Sequence, residues 1–303
     1  MLKNLAVCLS ATASLTAAAC TIDVQGEGGS QGVVVHEQRR FAVTGTPDLY
    51  LRTFDGSIEL RAWDRDEILV DIERRAESTS RAQEIEVETS SNGGTVRIEA
   101  KPPRDRREFI HFGISTPSSV RLTVTVPRKL NVEARTGDGA IYASAITGRM
   151  ELRTGDGSVR LQRVTGDITV STGDGSVSAR ELAGMVNVVT GDGSVEMSGQ
   201  FEEVRARTGD GAIGIDVLPG STMRRRWNVS TGDGSVMMRL PAEFNADLDA
   251  HTGDGAIVTS GVDVAPRSQD SEQRRRNVRG RIGGGGEELT VRTGDGSINI
   301  VAK

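Results

Sequence analysis

Eight aspartates recur in one setting, Thr-Gly-Asp-Gly, and repeated carboxylates are the side chains best suited to holding a metal ion. They are Asp138, Asp156, Asp174, Asp192, Asp210, Asp233, Asp254 and Asp295. Calcium takes six to eight oxygen ligands, so carboxylates and turn carbonyls in a row are one chemical reading of the motif. The same residues also suit a tight turn, because Asp hydrogen-bonds its local backbone and Gly adopts positive φ without strain.

The spacing and surroundings of the motif favour the turn. Each turn offers a single carboxylate, and the sequence lacks the two-glycine nonapeptide spacing of calcium-binding β-rolls. The Thr of each motif is expected to face inward and to bond the turn backbone or another Thr. Four arginines precede an aspartate by three residues and are expected to screen the row as exposed ion pairs: Arg135, Arg153, Arg207 and Arg292. We therefore predict eight structural turn residues and no cofactor, with calcium as the less favoured alternative.

The chain contains few other residues that could support catalysis. Both cysteines, Cys8 and Cys20, lie in the first twenty residues, and the chain has three histidines and two tryptophans. A β-helical polysaccharide enzyme needs a carboxylate pair in a groove that departs from the repeat. Here the acids lie within the repeat, and the departures from it are basic and glycine-rich. The sequence therefore predicts a protein that is not an enzyme.

The spacing of the aspartates also gives the repeat period of the sequence. From Asp138 to Asp210 the period is 18 residues, and the later gaps are 23, 21 and 41. Within each period a nine-residue half-unit carries apolar residues at i and i+2, as at Val159 and Leu161 and again at Ile168 and Val170. Each half-unit is predicted to be a short strand closed by a glycine turn.

This pattern favours an all-β solenoid (β-helix) with two strands in each 18-residue rung. Stacked rungs pair in parallel and bury their inward aliphatic residues between two faces. The Asp-Gly pairs are also hairpin signals, so an antiparallel meander closed into a sandwich is the alternative. A left-handed hexapeptide helix fails, because Val159 is followed at six-residue spacing by Thr165 and Ser171.

The remaining sequence suggests the following organisation. Residues 1–19 are predicted to be a signal peptide, 20–32 a flexible tether, 33–130 a β-rich segment that caps the solenoid, and 131–303 the solenoid, with insertions at 216–228 and 262–288. In the capping segment, residues 56–63, 67–73, 84–89, 95–100 and 120–127 alternate apolar and polar residues as strands do.

The N-terminal stretch "MLKNLAVCLSATASLTAAAC" predicts export. Its apolar run is too short for a bilayer and ends in small residues. Ala17–Ala19 before Cys20 resemble a bacterial lipobox, which predicts a lipid on Cys20, with plain cleavage after Ala19 as the alternative. In a Gram-negative cell, Thr21 in place of Asp after the cysteine indicates an outer-membrane lipoprotein facing the periplasm or the cell surface, so the membrane is one expected partner.

Two basic runs lie in the insertions and are the candidate binding contacts. Their arginines are Arg224, Arg225, Arg226, Arg274, Arg275 and Arg276. They are predicted to contact anionic envelope polymers or lipid headgroups, and the alternative is a solvated, flexible loop. The formal net charge of −5 disfavours nucleic acid as a partner.

Residues 35–303 resemble a bacterial family of exported β-strand-repeat proteins labelled putative adhesins. The resemblance rests on "DGSIEL", on "VRLTVTVP" leading into "KLNVEARTGDGAI", and on the tandem "TGDGS" units. It implies a β-solenoid at the cell exterior and supplies no catalytic residues. We expect a lipid-anchored, adhesin-like module that binds an envelope polymer or a protein. The alternative is a structural scaffold that self-associates end to end through the C-terminal strand "GSINIVAK", and a polysaccharide-acting enzyme is least favoured.

Overall fold

The computed structural model describes residues 21–25, 32–103, 118–262, 264–266 and 276–303. These residues form twenty-four strands and one short helix, so the chain is all-β. Residues 21–127 contain β1 (Thr21–Gln25), β2 (Val33–Ala42), β3 (Asp48–Arg52), β4 (Ile58–Trp63), β5 (Glu67–Ala76), α1 (Thr79–Glu84), β6 (Glu86–Asn92), β7 (Thr95–Lys101) and β8 (Ser119–Pro127).

The repeats supply the other sixteen strands of the described chain. They are β9 (Asn131–Arg135), β10 (Ile141–Ser144), β11 (Met150–Arg153), β12 (Val159–Gln162), β13 (Thr165–Ser171), β14 (Val177–Val189), β15 (Val195–Arg207), β16 (Ile213–Val217), β17 (Trp227–Ser230), β18 (Val236–Leu240), β19 (Ala246–Thr252), β20 (Ile257–Ser260), β21 (Val264–Pro266), β22 (Asn277–Ile282), β23 (Glu288–Thr293) and β24 (Ile298–Ala302).

Strand pairing produces two long ladders. In spatial order the first ladder is β6, β7, β3, β9, β11, β13, β14, β15, β17, β23, β19, β22 and β21. The second ladder is β1, β2, β5, β8, β4, β10, β12, β14, β15, β16, β18, β24 and β20. Strands β14 and β15 belong to both ladders, and their mutual pairing shifts register where they pass from one to the other.

The register follows the repeat of the sequence. Ile141 pairs with Val159, and Val159 pairs in turn with Val177, each partner lying 18 residues further along the chain. Every pairing from β9 to β18 is parallel. An antiparallel meander would alternate strand direction there, so the fold is solenoid-like, as the sequence predicts.

The core is a layer of aliphatic side chains between the two ladders. In most repeat strands alternate residues are buried, as in Val159 and Leu161, while Arg160 between them is exposed. Trp227 is fully buried, as its inward parity predicts, and its ring packs edge-on against Phe201 at 6.1 Å and tilted against Phe244 at 5.3 Å. The inward positions of the repeats are thus used for packing.

The strands at both ends of the molecule do not stack in chain order. Strand β3 lies between β7 and β9, although β7 follows it by more than forty residues. At the other end, β24 pairs with β18 on one side and with β20 on the other. The expectation that the C-terminal strand is an uncapped edge is therefore wrong, because both of its hydrogen-bonding sides are occupied.

The strands predicted between residues 33 and 130 are confirmed closely, and three segments of the described chain differ from expectation. Residues 79–84 form a helix that begins after Ser78, whose hydroxyl accepts a hydrogen bond from the backbone of Arg81. Thr21–Gln25, expected in a tether, form β1 and pair with β2. Residues 277–282, expected in a flexible loop, form β22 and pair with β19.

Candidate functional site

The threonines of the repeat bind the neighbouring turn of the stack. Thr172 Oγ1 donates to the carbonyl oxygens of Gly155 and Gly157, both at 3.0 Å. The same two-carbonyl arrangement recurs at Thr154, Thr190, Thr208, Thr231, Thr252 and Thr293. Each of these hydroxyls is buried, so the threonines connect one turn to the next and offer no group to a ligand.

The glycines of the motif are required by the closeness of neighbouring turns. A Cβ at Gly175 would overlap the carbonyl oxygen of Gly157 and would lie 2.6 Å from Thr172 Oγ1. The backbone of Gly173 also donates to the Gly155 carbonyl. None of the residues of the eight Thr-Gly-Asp-Gly motifs has positive φ, so the expectation of a left-handed Asp-Gly turn is wrong and close stacking takes its place.

The eight aspartates lie exposed along this edge. Asp156 Oδ1 is 2.6 Å from the position that a Cβ would take at Gly173, so the carboxylate leans over the next turn. The expected hydrogen bonds to the local turn backbone are not found among the described residues. Of the eight carboxylates only Asp254 has a cationic partner there, Arg276 at 3.3 Å.

The four arginines expected to screen the aspartates do not do so. Arg135 and Arg153 both pair with Glu151, at 3.7 and 2.6 Å, and Arg292 pairs with Asp249 at 3.5 Å. Arg207 has no ion-pair partner in the described part of the chain. For the three paired arginines the cause is strand register. The acidic side chain on the same strand or on the neighbouring strand lies closer to the guanidinium group than the turn aspartate does.

The aspartate row provides no metal-binding cluster among the residues that the structure describes. No group of three or more His, Cys, Asp or Glu side chains there is arranged to hold an ion. Stacking spaces successive turns by about 4.8 Å and presents one carboxylate per turn. Calcium, by contrast, is held by several oxygens converging on one point.

Positive φ occurs at the second corner of the repeat. Ala145, Arg163 and Glu181, at 18-residue intervals, have φ of 59, 54 and 55°. Three residues after each of them, Gly148, Gly166 and Gly184 also have positive φ. A side chain at such a position costs about 1–2 kcal/mol, so this corner stores backbone strain.

The basic insertion at 216–228 is largely neutralised. Arg224 pairs with Glu202 at 3.4 Å, Arg225 with Glu203 at 3.3 Å and Arg226 with Glu288 at 2.9 Å. Arg276 pairs with Asp254, as described above. Cys20, Arg274 and Arg275 lie outside the described residues. The candidate contacts that are described therefore carry counterions already.

Six other arginines in the described ranges make neither an ion pair nor a ring contact: Arg149, Arg160, Arg163, Arg180, Arg207 and Arg239. Three of them lie together on the second ladder. Register places Arg180 opposite Gln162, and Arg163 donates its backbone N–H to the Arg180 carbonyl at 3.0 Å. The sequence does contain a signal for this cluster, although it was not predicted. Arg160 and Arg180 occupy outward positions of repeat units that contain few acidic residues.

A cleft of about 390 Å³ lies at the turn edge near β3, β7 and β9. Arg52, Lys101, Arg135 and Arg153 contribute to its walls, with Phe54 and Pro102 among the apolar residues. Each of the four cations has an acidic partner: Glu99 at 3.6 Å for Arg52, Glu88 for Lys101, Glu133 and Glu151 for Arg135, and Glu151 for Arg153. The cleft is therefore close to neutral.

One carboxylate is buried among cations far from the repeat. Glu37 on β2 is 5% exposed and binds Arg39 and Arg74. Burial raises the pKa of this carboxyl, but the hydrogen bonds and charges of the two arginines outweigh burial and lower the pKa below its usual 4.5. This group stays ionised at neutral pH and fixes β2 against β5.

No helix in the described part of the chain is long and apolar enough to cross a membrane. No curated protein matches the chain.

Three solved structures are similar to the chain at low identity. A "putative cell adhesion protein" from Clostridium sporogenes is 12% identical, covering 95% of this chain and 100% of its own, with a TM-score of 0.27. A "putative lipid binding protein" from Parabacteroides distasonis is 16% identical over 88% and 96%, with a TM-score of 0.44. A "putative adhesin" from Bacteroides fragilis is 11% identical over 88% and 97%, with a TM-score of 0.38. The family model described as Toastrack DUF4097 matches residues 48–301, and the chain therefore belongs to the Toastrack DUF4097 family.

Proposed function

We propose that this chain is a non-enzymatic binding module of the bacterial cell envelope, exported and anchored through a lipid on Cys20. One observation carries the proposal. The Thr and Gly side of every repeat is used to join turns, so differences between repeats fall on the outward faces of the two ladders. We take each 18-residue unit as one rung with two strands, which presents those faces as a long, rigid surface.

The described acidic groups of the repeat strands and turns either pair with basic residues or stand alone. The aspartates of the repeat stand one per turn, and Glu133, Glu151, Glu202 and Glu203 pair with arginines. General acid–base work on a polysaccharide needs two carboxyl groups facing one bond across a groove. The cleft of about 390 Å³ contains a single carboxylate, Glu99, whereas a second cleft of about 350 Å³, beside the insertions, is lined by the exposed Glu243 and Glu287.

The basic insertions are expected to contribute little to binding. Arg224, Arg225 and Arg226 are exposed, but each would have to exchange a protein carboxylate for a ligand anion. Such an exchange returns little free energy, since exposed ion pairs contribute about 0–1 kcal/mol. We expect the triple variant Arg224→Gln/Arg225→Gln/Arg226→Gln to weaken binding less than about threefold.

End-to-end self-association is not the function that we propose. Its basis in the sequence was a free C-terminal strand, whereas β24 is paired on both sides.

Retention of the purified protein on immobilised envelope polymers tests the proposal. We expect the folded monomer to be retained by an anionic polymer and to be released by salt, because charged contacts are screened. Analytical ultracentrifugation of the same sample distinguishes the alternative. Filaments that grow with protein concentration, together with no retention on any polymer, would establish the scaffold and contradict the binding module.

A further inference from the structure

We propose that Arg160, Arg163 and Arg180 form a binding site for an acidic polysaccharide whose sugars carry carboxylates. This inference rests on the proposed binding function and names its surface and its ligand class. The three residues and their outward neighbours Tyr142, Gln162 and Ser178 are called here the arginine face.

The register of the strands brings the residues of the arginine face together. Arg160 on β12 is flanked by Tyr142 on β10 and by Ser178 on β14, and Gln162 stands opposite Arg180. Arg160 and Arg180 are therefore diagonal neighbours on adjacent strands, about 7–8 Å apart at Cα. Arg163 follows β12 directly, and its backbone bond to Arg180 holds it beside the pair.

Among the described residues, the three arginines of this face make no ion pair, although an acidic residue, Glu196, stands opposite Ser178 on β15. All three arginines are exposed, and none has a carboxylate at ion-pair distance in the described chain. On the first ladder, Arg135 and Arg153 are also neighbours in register, but both of them pair with Glu151. Arg160 and Arg180 are diagonal neighbours of like charge, so an anion placed between them is attracted by both guanidinium groups.

The other side chains of the face suit a sugar. A guanidinium binds a carboxylate through two parallel hydrogen bonds. Gln162 and Ser178 offer an amide and a hydroxyl to sugar hydroxyls, and the half-exposed Tyr142 offers both a ring face and a hydroxyl. Because these groups lie on three successive strands, they follow an extended chain better than a single small ion.

Two other polyanions fit less well. A membrane contact would use large apolar side chains, and within the described residues those exposed are Val189 and Val258, neither of which belongs to this face. Nucleic-acid binding depends on many phosphate contacts in a strongly positive field, whereas the chain carries a net charge of −5. The positive charge of the arginine face is local, so we expect the ligand to be recognised at this face and not through the overall charge of the protein.

The experiment uses the full chain and immobilised polygalacturonate, a polymer of carboxylated sugars, with dextran as the neutral control polymer. Phosphatidylglycerol vesicles and duplex DNA serve as the competing polyanions. We expect salt-sensitive binding to polygalacturonate, at least about tenfold weaker in the double variant Arg160→Gln/Arg180→Gln, since each charged hydrogen bond lost costs about tenfold in affinity.

A second variant separates binding from folding. Arg163→Gly removes a charge and also relieves a positive φ, so it should bind several-fold more weakly while its thermal midpoint is unchanged or higher. The matched control is Arg224→Gln/Arg225→Gln/Arg226→Gln, which removes three paired charges and should retain most of the affinity.

The outcomes are distinct. Unchanged affinity in Arg160→Gln/Arg180→Gln overturns the arginine face. Stronger binding to vesicles or DNA than to polygalacturonate overturns the ligand class. Retention on another envelope polymer without binding to polygalacturonate overturns this inference alone and leaves the binding module standing, whereas no retention on any polymer overturns both.

Discussion

Thr172 Oγ1 donates to the carbonyls of Gly155 and Gly157, both 3.0 Å away in the preceding turn. The Gly157 carbonyl has no other hydrogen-bond partner among the described residues. The hydroxyl is buried, so water cannot replace it. This one contact, repeated along the edge, explains why each motif begins with Thr.

Thr172→Val keeps the shape of the side chain and removes the donor. We expect the free energy of unfolding in urea to fall by about 1–3 kcal/mol, because a buried carbonyl is left unsatisfied. Thr169→Val, on the outward side of β13 just before Thr172, is the matched control and should change stability by less than about 0.5 kcal/mol. Equal effects of the two substitutions would show that the hydroxyl does not join the turns.

Gly175→Ala tests the close approach of successive turns. The added Cβ overlaps the backbone carbonyl of Gly157, so the stack must open locally. We expect a loss of about 2 kcal/mol or more in the free energy of unfolding. At Gly214 the nearest atoms to an added Cβ are 3.9 and 4.0 Å away, so Gly214→Ala should be neutral or stabilise by about 0.4–1 kcal/mol. A benign Gly175→Ala would contradict the stacking geometry.

Ala145→Gly tests the strain at the second corner. Ala145 has a φ of 59°, which glycine adopts without cost. We expect stability to be unchanged or to rise by up to about 1 kcal/mol, after the greater entropy of glycine in the unfolded chain is subtracted. Ala143→Gly, two residues earlier in the buried strand, should instead cost about 1 kcal/mol. The idea fails if thermal denaturation gives the two variants the same loss.

Glu37 gives the protein an acid-sensitive contact. Because the pKa of Glu37 is lower in the folded than in the unfolded chain, its contribution is complete above the unfolded value near 4.5. As pH falls further, through the folded value, the contribution is lost, since unfolding then takes up a proton. Glu37→Gln should reduce stability at pH 7 and flatten the decline of stability below pH 4.5. A variant with the wild-type acid profile would exclude this role.

The sequence predicted the parts of the fold that depend on periodicity. Val159 and Leu161 alternate with polar residues and are spaced 18 residues from their partners, so strand, inward face and parallel stacking all followed from the pattern. Trp227 lies two residues before the inward-facing Val229, and both side chains are fully buried.

Three features depended on non-local geometry and were not predicted. Pairing of β24 between β18 and β20 brings together residues 62 and 41 positions apart, which no local pattern encodes. The glycines of the turns were attributed to backbone conformation, whereas the cause is the neighbouring turn. The charged runs Arg224–Arg226 drew attention as a sequence cluster, yet their partners Glu202, Glu203 and Glu288 lie on other strands.

The central claim is that the stack of strands departs from chain order at its C-terminal end, where β24 lies between β18 and β20. Disulfide formation between outward cysteines measures this placement directly. With Cys8 and Cys20 replaced by Ser, Met237→Cys/Asn299→Cys places the thiols on neighbouring strands. Their Cα separation of about 4.8 Å suits a disulfide. Met237→Cys/Val258→Cys places them on either side of β24, about 9.6 Å apart and beyond disulfide reach. We expect the first pair to oxidise and the second to remain reduced; a disulfide in the second pair alone would contradict the stack described here.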